Sequence, residues 1–167
     1  SPAPSAPAVS VEVPVNPAAF AQIEVAGVDR QGNAYTNSGW GIIIDPTGII
    51  LAPANLVAPD ASGVAIRYGD WNVAATIETI TVRTSPAQGQ PASQTFTGQV
   101  LAADGYLDVA VVQLVDPGVT FAAIGVSTAT RALGEDVVVV DAGPLSFGGP
   151  ITPTAFRTPI SAQGTYK

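Results

Sequence analysis

The chain has 167 residues, 47% apolar and only 11% charged, and its 13 acids against 6 bases give a net charge of -7. That length suits one domain of ordinary size or two small ones, and the acidic balance, with bases scattered at Arg30, Arg67, Arg83, Arg131, Arg157 and Lys167, excludes a nucleic-acid-binding surface. Histidine, cysteine and methionine are absent, which removes thiol nucleophiles, disulfides and thiolate metal sites, along with the commonest general base and the commonest metal ligand.

Residues 1–17, SPAPSAPAVSVEVPVNP, carry five prolines among alanine and serine. The expectation is an extended Pro/Ala-rich tether over 1–19, since such a composition cannot bury enough surface to fold alone. From Phe20 the pattern changes to short apolar runs broken by glycine, proline and aspartate. Strands are predicted at AQIEVAGV (21–28), SGWGIIID (38–45), GIILA (48–52), GVAIRY (63–68), NVAATIETITVRT (72–84), QTFTGQVLAA (94–103), LDVAVVQLV (107–115) and EDVVVVDAG (135–143). These runs are rich in valine, isoleucine and threonine, and several alternate with period two. A single helical turn is expected near 53–57. Asp45-Pro46-Thr47-Gly48 has the residue order of a type I turn, so 40–52 is expected to be a hairpin. A second turn is expected at 68–72, and TSPAQGQPAS (84–93) as an exposed loop between two strands. Many short strands at close spacing imply an all-β architecture, with 20–115 closing a six-stranded antiparallel barrel.

The order of these motifs resembles the trypsin-like serine proteases of the HtrA/Deg-type branch. Ser38-Gly39-Trp40-Gly41, the hairpin turn, and the strand running into Leu51-Ala52-Pro53-Ala54-Asn55-Leu56-Val57 follow the family's first barrel. Asn55 falls on the position of the family's catalytic histidine. Leu107-Asp108-Val109-Ala110-Val111 matches the segment that carries the triad aspartate, at Asp108. Leu133-Gly134-Glu135-Asp136-Val137 through Gly143-Pro144 matches a later strand, and Pro159-Ile160-Ser161-Ala162 echoes the next. The resemblance spans 20–167 and implies a first barrel over 20–120 and part of a second over 121–167.

The departures from the family bear on function. A triad needs a histidine to take the serine proton and an aspartate to orient it. Asn55 does not titrate near neutral pH, and the family's nucleophile motif is not found. Ser146-Phe147-Gly148-Gly149-Pro150 is read as a Gly-rich loop rather than a nucleophile, and Lys167 as a solvated terminal lysine rather than half of a Ser–Lys dyad. Asp60, Asp70 and Asp104 are read as turn residues, not calcium ligands. Glu135 and Asp136 are expected to open a strand and face solvent, and Trp40 and Trp71 to lie in the core or on the barrel rim. The expectation is therefore a pseudoprotease with relict triad positions Asn55 and Asp108, no cofactor and no metal. It would serve as an interaction or structural subunit of an extracytoplasmic or cell-surface assembly. The alternatives are a peptidase fragment completed by another chain, and a peptide- or glycan-binding module using the old cleft. Lack of oxidisable sulfur suits an oxidising setting, and no apolar run approaches the ~18 residues of a membrane span. Past Phe121 the chain is expected to pair with another polypeptide, whether a partner subunit, a second copy or a severed C-terminal remainder, or else to fold back and cap the first barrel.

Overall fold

The computed structural model describes residues 15–69 and 75–161. Six strands, β1 (Phe20–Val28), β2 (Ala34–Asp45), β3 (Ile49–Ala52), β4 (Thr76–Thr84), β5 (Gln94–Asp104) and β6 (Val109–Leu114), close a barrel in the order β1-β2-β3-β6-β5-β4. Every neighbouring pair is antiparallel. This is the architecture expected from the strand spacing. Alternation fills the barrel: Ile23 and Val25 of β1, Ile43 of β2, Ile50 of β3, Ile80 and Val82 of β4, and Val112 and Leu114 of β6 form one buried cluster. Register irregularities at Ala26/Gly27, Ile43/Asp45 and Val100/Ala102 supply the local bends that closure requires.

The β2–β3 hairpin turns where the Asp-Pro-Thr-Gly motif stands. Gly48 N–H donates to the Asp45 carbonyl at 3.0 Å, and the Asp45 carboxylate accepts from the Thr47 amide at 2.8 Å and its hydroxyl at 2.6 Å. Two short helices follow β3: α1 (Ala54–Val57), at the one turn foreseen, and α2 (Val64–Tyr68).

The helix α2 corrects the strand expected over 63–68. As a strand, Val64, Ile66 and Tyr68 would share one face. Instead Val64 is fully buried and Ile66 is 78% exposed, while Tyr68 packs against the core. The i, i+4 pair Val64/Tyr68 is a helical face, and Gly63 and Gly69, both at positive φ, bound the turn. The turn expected at 68–72 lies largely outside the described residues. The loop over 84–93 is exposed at 86–91, as expected, but Thr84 and Ser85 are buried, with the Ser85 hydroxyl 2.8 Å from the Ala87 carbonyl and 3.0 Å from that of Gln90.

After β6 the chain crosses back over the barrel. Phe121 N–H donates to the Pro46 carbonyl at 3.0 Å, Ile124 N–H to that of Ile43 at 2.9 Å, and the Phe121 ring meets Phe96 edge-on at 5.1 Å. A separate two-stranded antiparallel sheet then forms from β7 (Asp136–Asp141) and β8 (Thr154–Pro159). The link between them, 142–151, docks on the outer face of β1. Ala142 and Ile151 join Phe20 in a second buried cluster flanked by Val15 and Trp40, and Trp40 Nε1–H donates to the Gly143 carbonyl at 3.1 Å. β1 is thus buried on both faces. Its buried Gln22 spends both ends of its amide on the docked loop: Nε2 donates to the Ser146 and Gly149 carbonyls at 3.2 and 3.1 Å, and Oε1 accepts from Gly148 N–H at 2.7 Å. Phe147 lies under the Arg83 guanidinium, 4.7 Å from its ring centre. At the N-terminal side, Asn16 caps a single 3-10 turn at Pro17–Ala19; the rest of the expected tether, 1–14, lies outside the described residues.

Candidate functional site

The two positions singled out by the resemblance come together in space. Asp108 is the turn residue just before β6, at φ 57°, a left-handed conformation that aspartate tolerates better than most residues. The preceding turn is tied by Asp104, whose carboxylate accepts the Tyr106 and Leu107 amides at 2.9 and 3.1 Å. Across the barrel mouth, Asn55 sits in α1, immediately after β3. The Asp108 Oδ1 accepts the Asn55 backbone N–H at 2.8 Å. The Tyr68 hydroxyl, from α2, donates to Asp108 Oδ2. Neither bond uses the Asn55 side chain.

Close backbone approach fixes this arrangement. A Cβ on Gly63 would lie 2.5 Å from the Tyr106 amide nitrogen, and one on Gly105 would lie 2.5 Å from both the Ser62 oxygen and the Val64 nitrogen. Only glycine lets the start of α2 rest against the β5–β6 turn. Arg67 closes the join: its Nη1 donates to the Tyr106 carbonyl at 3.2 Å, and its guanidinium stands 5.8 Å from the Tyr68 ring centre. The hydrogen bond to Asp108 raises the Tyr68 phenol above its ordinary pKa, with loss of water and the negative charge of Asp108 acting in the same direction. Near neutral pH this phenol is a donor to a carboxylate, not a base.

Asp108 also lines a cleft of about 410 Å³ between the barrel and the C-terminal strand. Phe20, Trp40, Leu51 and Pro53 form its apolar barrel wall, with Val140 and Asp141 across from them. Trp40 is therefore a rim residue, half-buried between cluster and cleft. Ser146 is not among the cleft residues. It belongs to the Gly-rich turn held by Gln22, its carbonyl accepting Gly149 N–H at 2.7 Å. Asp60 lies in a turn, Asp104 ends β5 at the edge of the turn that follows, and Asp136 opens β7 in solvent. Glu135 accepts from Arg131 Nη1 at 2.7 Å and from Ala132 N–H at 3.0 Å. These two bonds, the backbone one leading, hold its carboxyl below the usual range. Asp70, Trp71 and Lys167 lie outside the described residues.

Two residues that matter here carried no clear signal in the sequence. Tyr68 was hidden in a segment whose pattern fits a strand, and Gln22 is one polar residue inside a strand run. Among the described residues no helix is long and apolar enough to cross a membrane. The closed six-stranded antiparallel barrel is compatible with a trypsin-like first barrel. No protein-family model matches the chain, and no curated protein matches its sequence.

Proposed function

We propose that the chain is a non-catalytic barrel of trypsin-like type that works by binding another polypeptide, as an interaction or structural subunit of an extracytoplasmic assembly. The observation that carries this reading is the state of Asp108. In a working triad the aspartate orients an imidazole that titrates near neutral pH. Here its two oxygens are taken by the Asn55 backbone amide and the Tyr68 hydroxyl, and the side chain at 55 is an amide. The carboxylate pins α1 and α2 to the barrel mouth, which is a structural use of the position. The absence of oxidisable sulfur supports an extracytoplasmic setting.

The test is reactivity. Incubated with a fluorophosphonate probe and with peptide and ester substrates, the chain is expected to remain unlabelled and to turn nothing over. Asn55→His alone is expected to restore no activity, since no serine among the described residues lines the cleft at Asp108. Stoichiometric labelling of one serine would replace this reading with that of a peptidase, completed by another chain if labelling required one. A second reading, a ligand-binding module, is favoured by the cleft itself, whose volume and apolar lining suit a bound side chain.

A further inference from the structure

Among the described residues, β7 is an unpaired sheet edge. It bonds to β8 on one side, and no described strand pairs with the other. Two six-residue strands alone make a sheet of marginal stability in water. The apolar side chains of this sheet remain in solvent: Val138, Val139 and Val140 are 39, 40 and 36% exposed, and Phe156 is 53% exposed. The outer edge of β8 carries two of the usual deterrents to pairing, Arg157 and Pro159. β7 carries four consecutive valines with charge only at its two ends, Asp136 and Asp141.

Those two aspartates say what can pair there. A second copy joined through β7 would bring together two acidic edges and two chains of net charge -7, and would offer neither aspartate a basic partner from its own β7. A strand with a basic residue opposite each aspartate gains an attraction at both ends instead. The cleft begins at the C-terminal end of the same strand, with Val140, Asp141 and Ala142 in its wall and no basic residue among its described lining.

Resting on the binding role above, we propose that β7 adds an extended segment of a different polypeptide as a third strand, and that this segment carries two basic residues flanking four residues of apolar or β-branched type. Main-chain bonds to the free edge supply the affinity, and the paired charges supply register and choice of partner.

The test uses the purified chain and two synthetic peptides, Lys-Val-Thr-Val-Thr-Lys and its counterpart with glutamate at both ends. The lysine peptide is expected to bind, to slow amide exchange at 136–141, and to bind about five- to tenfold better than the glutamate peptide, given opposite-charge pairs of this kind. The double variant Asp136→Lys, Asp141→Lys changes exposed residues, and its fold is verified by an unchanged circular dichroism spectrum. It is expected to reverse the preference. Three results would overturn the proposal: no binding of either peptide, equal binding of both in both proteins, or a dimer of the chain that dissociates when β7 is altered. None of these outcomes depends on fluorophosphonate labelling, so the β7 proposal and the non-catalytic reading fail separately.

Discussion

At the residue scale the decisive atom pair is Asp108 Oδ1 with the Asn55 amide, backed by the Tyr68 hydroxyl on Oδ2. Asp108→Ala removes the acceptor from both donors and is expected to cost about 1.5–3 kcal/mol, the range for hydrogen bonds to a charged group, in a chemical denaturation experiment. Asp108→Asn keeps an acceptor for the Asn55 amide and is expected to cost less. Tyr68 offers a test by pH. Its phenol is raised in the folded state, so its contribution to stability is whole below the ordinary value near 10 and is lost as pH climbs from there through the raised value. Ultraviolet titration is expected to find one tyrosine ionising late, absent in Tyr68→Phe, and the variant's stability is expected to fall less steeply across that alkaline window. The resemblance brought Asn55 and Asp108 into view because both stand in motifs that keep their order along the chain. Tyr68 escaped because its role depends on a helical turn, and five residues between two glycines fit the period of a strand as well as that of a helix.

At the scale of elements, two joints hold the molecule together. One is the seam between α2 and the β5–β6 turn, where Gly105 leaves no space for a Cβ against Ser62 and Val64. Gly105→Ala must push two backbones apart, and a loss of about 2 kcal/mol or more is expected, read as an earlier denaturation midpoint. The other joint is the docking of 142–151 onto β1. Gln22→Leu removes one bond each from the Ser146 and Gly149 carbonyls, which keep the Gly149 and Ala92 amides, and takes the acceptor from the Gly148 amide. A cost of roughly 1–3 kcal/mol is expected, with faster exchange of the Gly148 amide as its local signature. The barrel strands were legible because alternation and turn residues act locally: Asp45 to Gly48 fix a hairpin from within. The docked loop was not legible. Its partner is a glutamine more than 120 positions away in the sequence, and nothing in AQIEVAGV distinguishes a glutamine facing solvent from one buried under a returning segment.

At the scale of the whole molecule, the barrel is closed and the C-terminal sheet is not. Closure removes every edge from β1 to β6, while β7 presents a free edge and valines that are more than a third exposed. A run of four valines is plain in the sequence and suits a strand covered on both faces; the structure adds that the described residues leave Val138, Val139 and Val140 each more than a third exposed. The proposal that this sheet is completed by another polypeptide is open to amide hydrogen exchange on the purified chain. Slow exchange is expected across β1 to β6 and fast exchange at alternate amides of 137–140, becoming slow when a partner strand is added. Exchange across 137–140 as slow as in the barrel, in a stable monomer with nothing added, would contradict it.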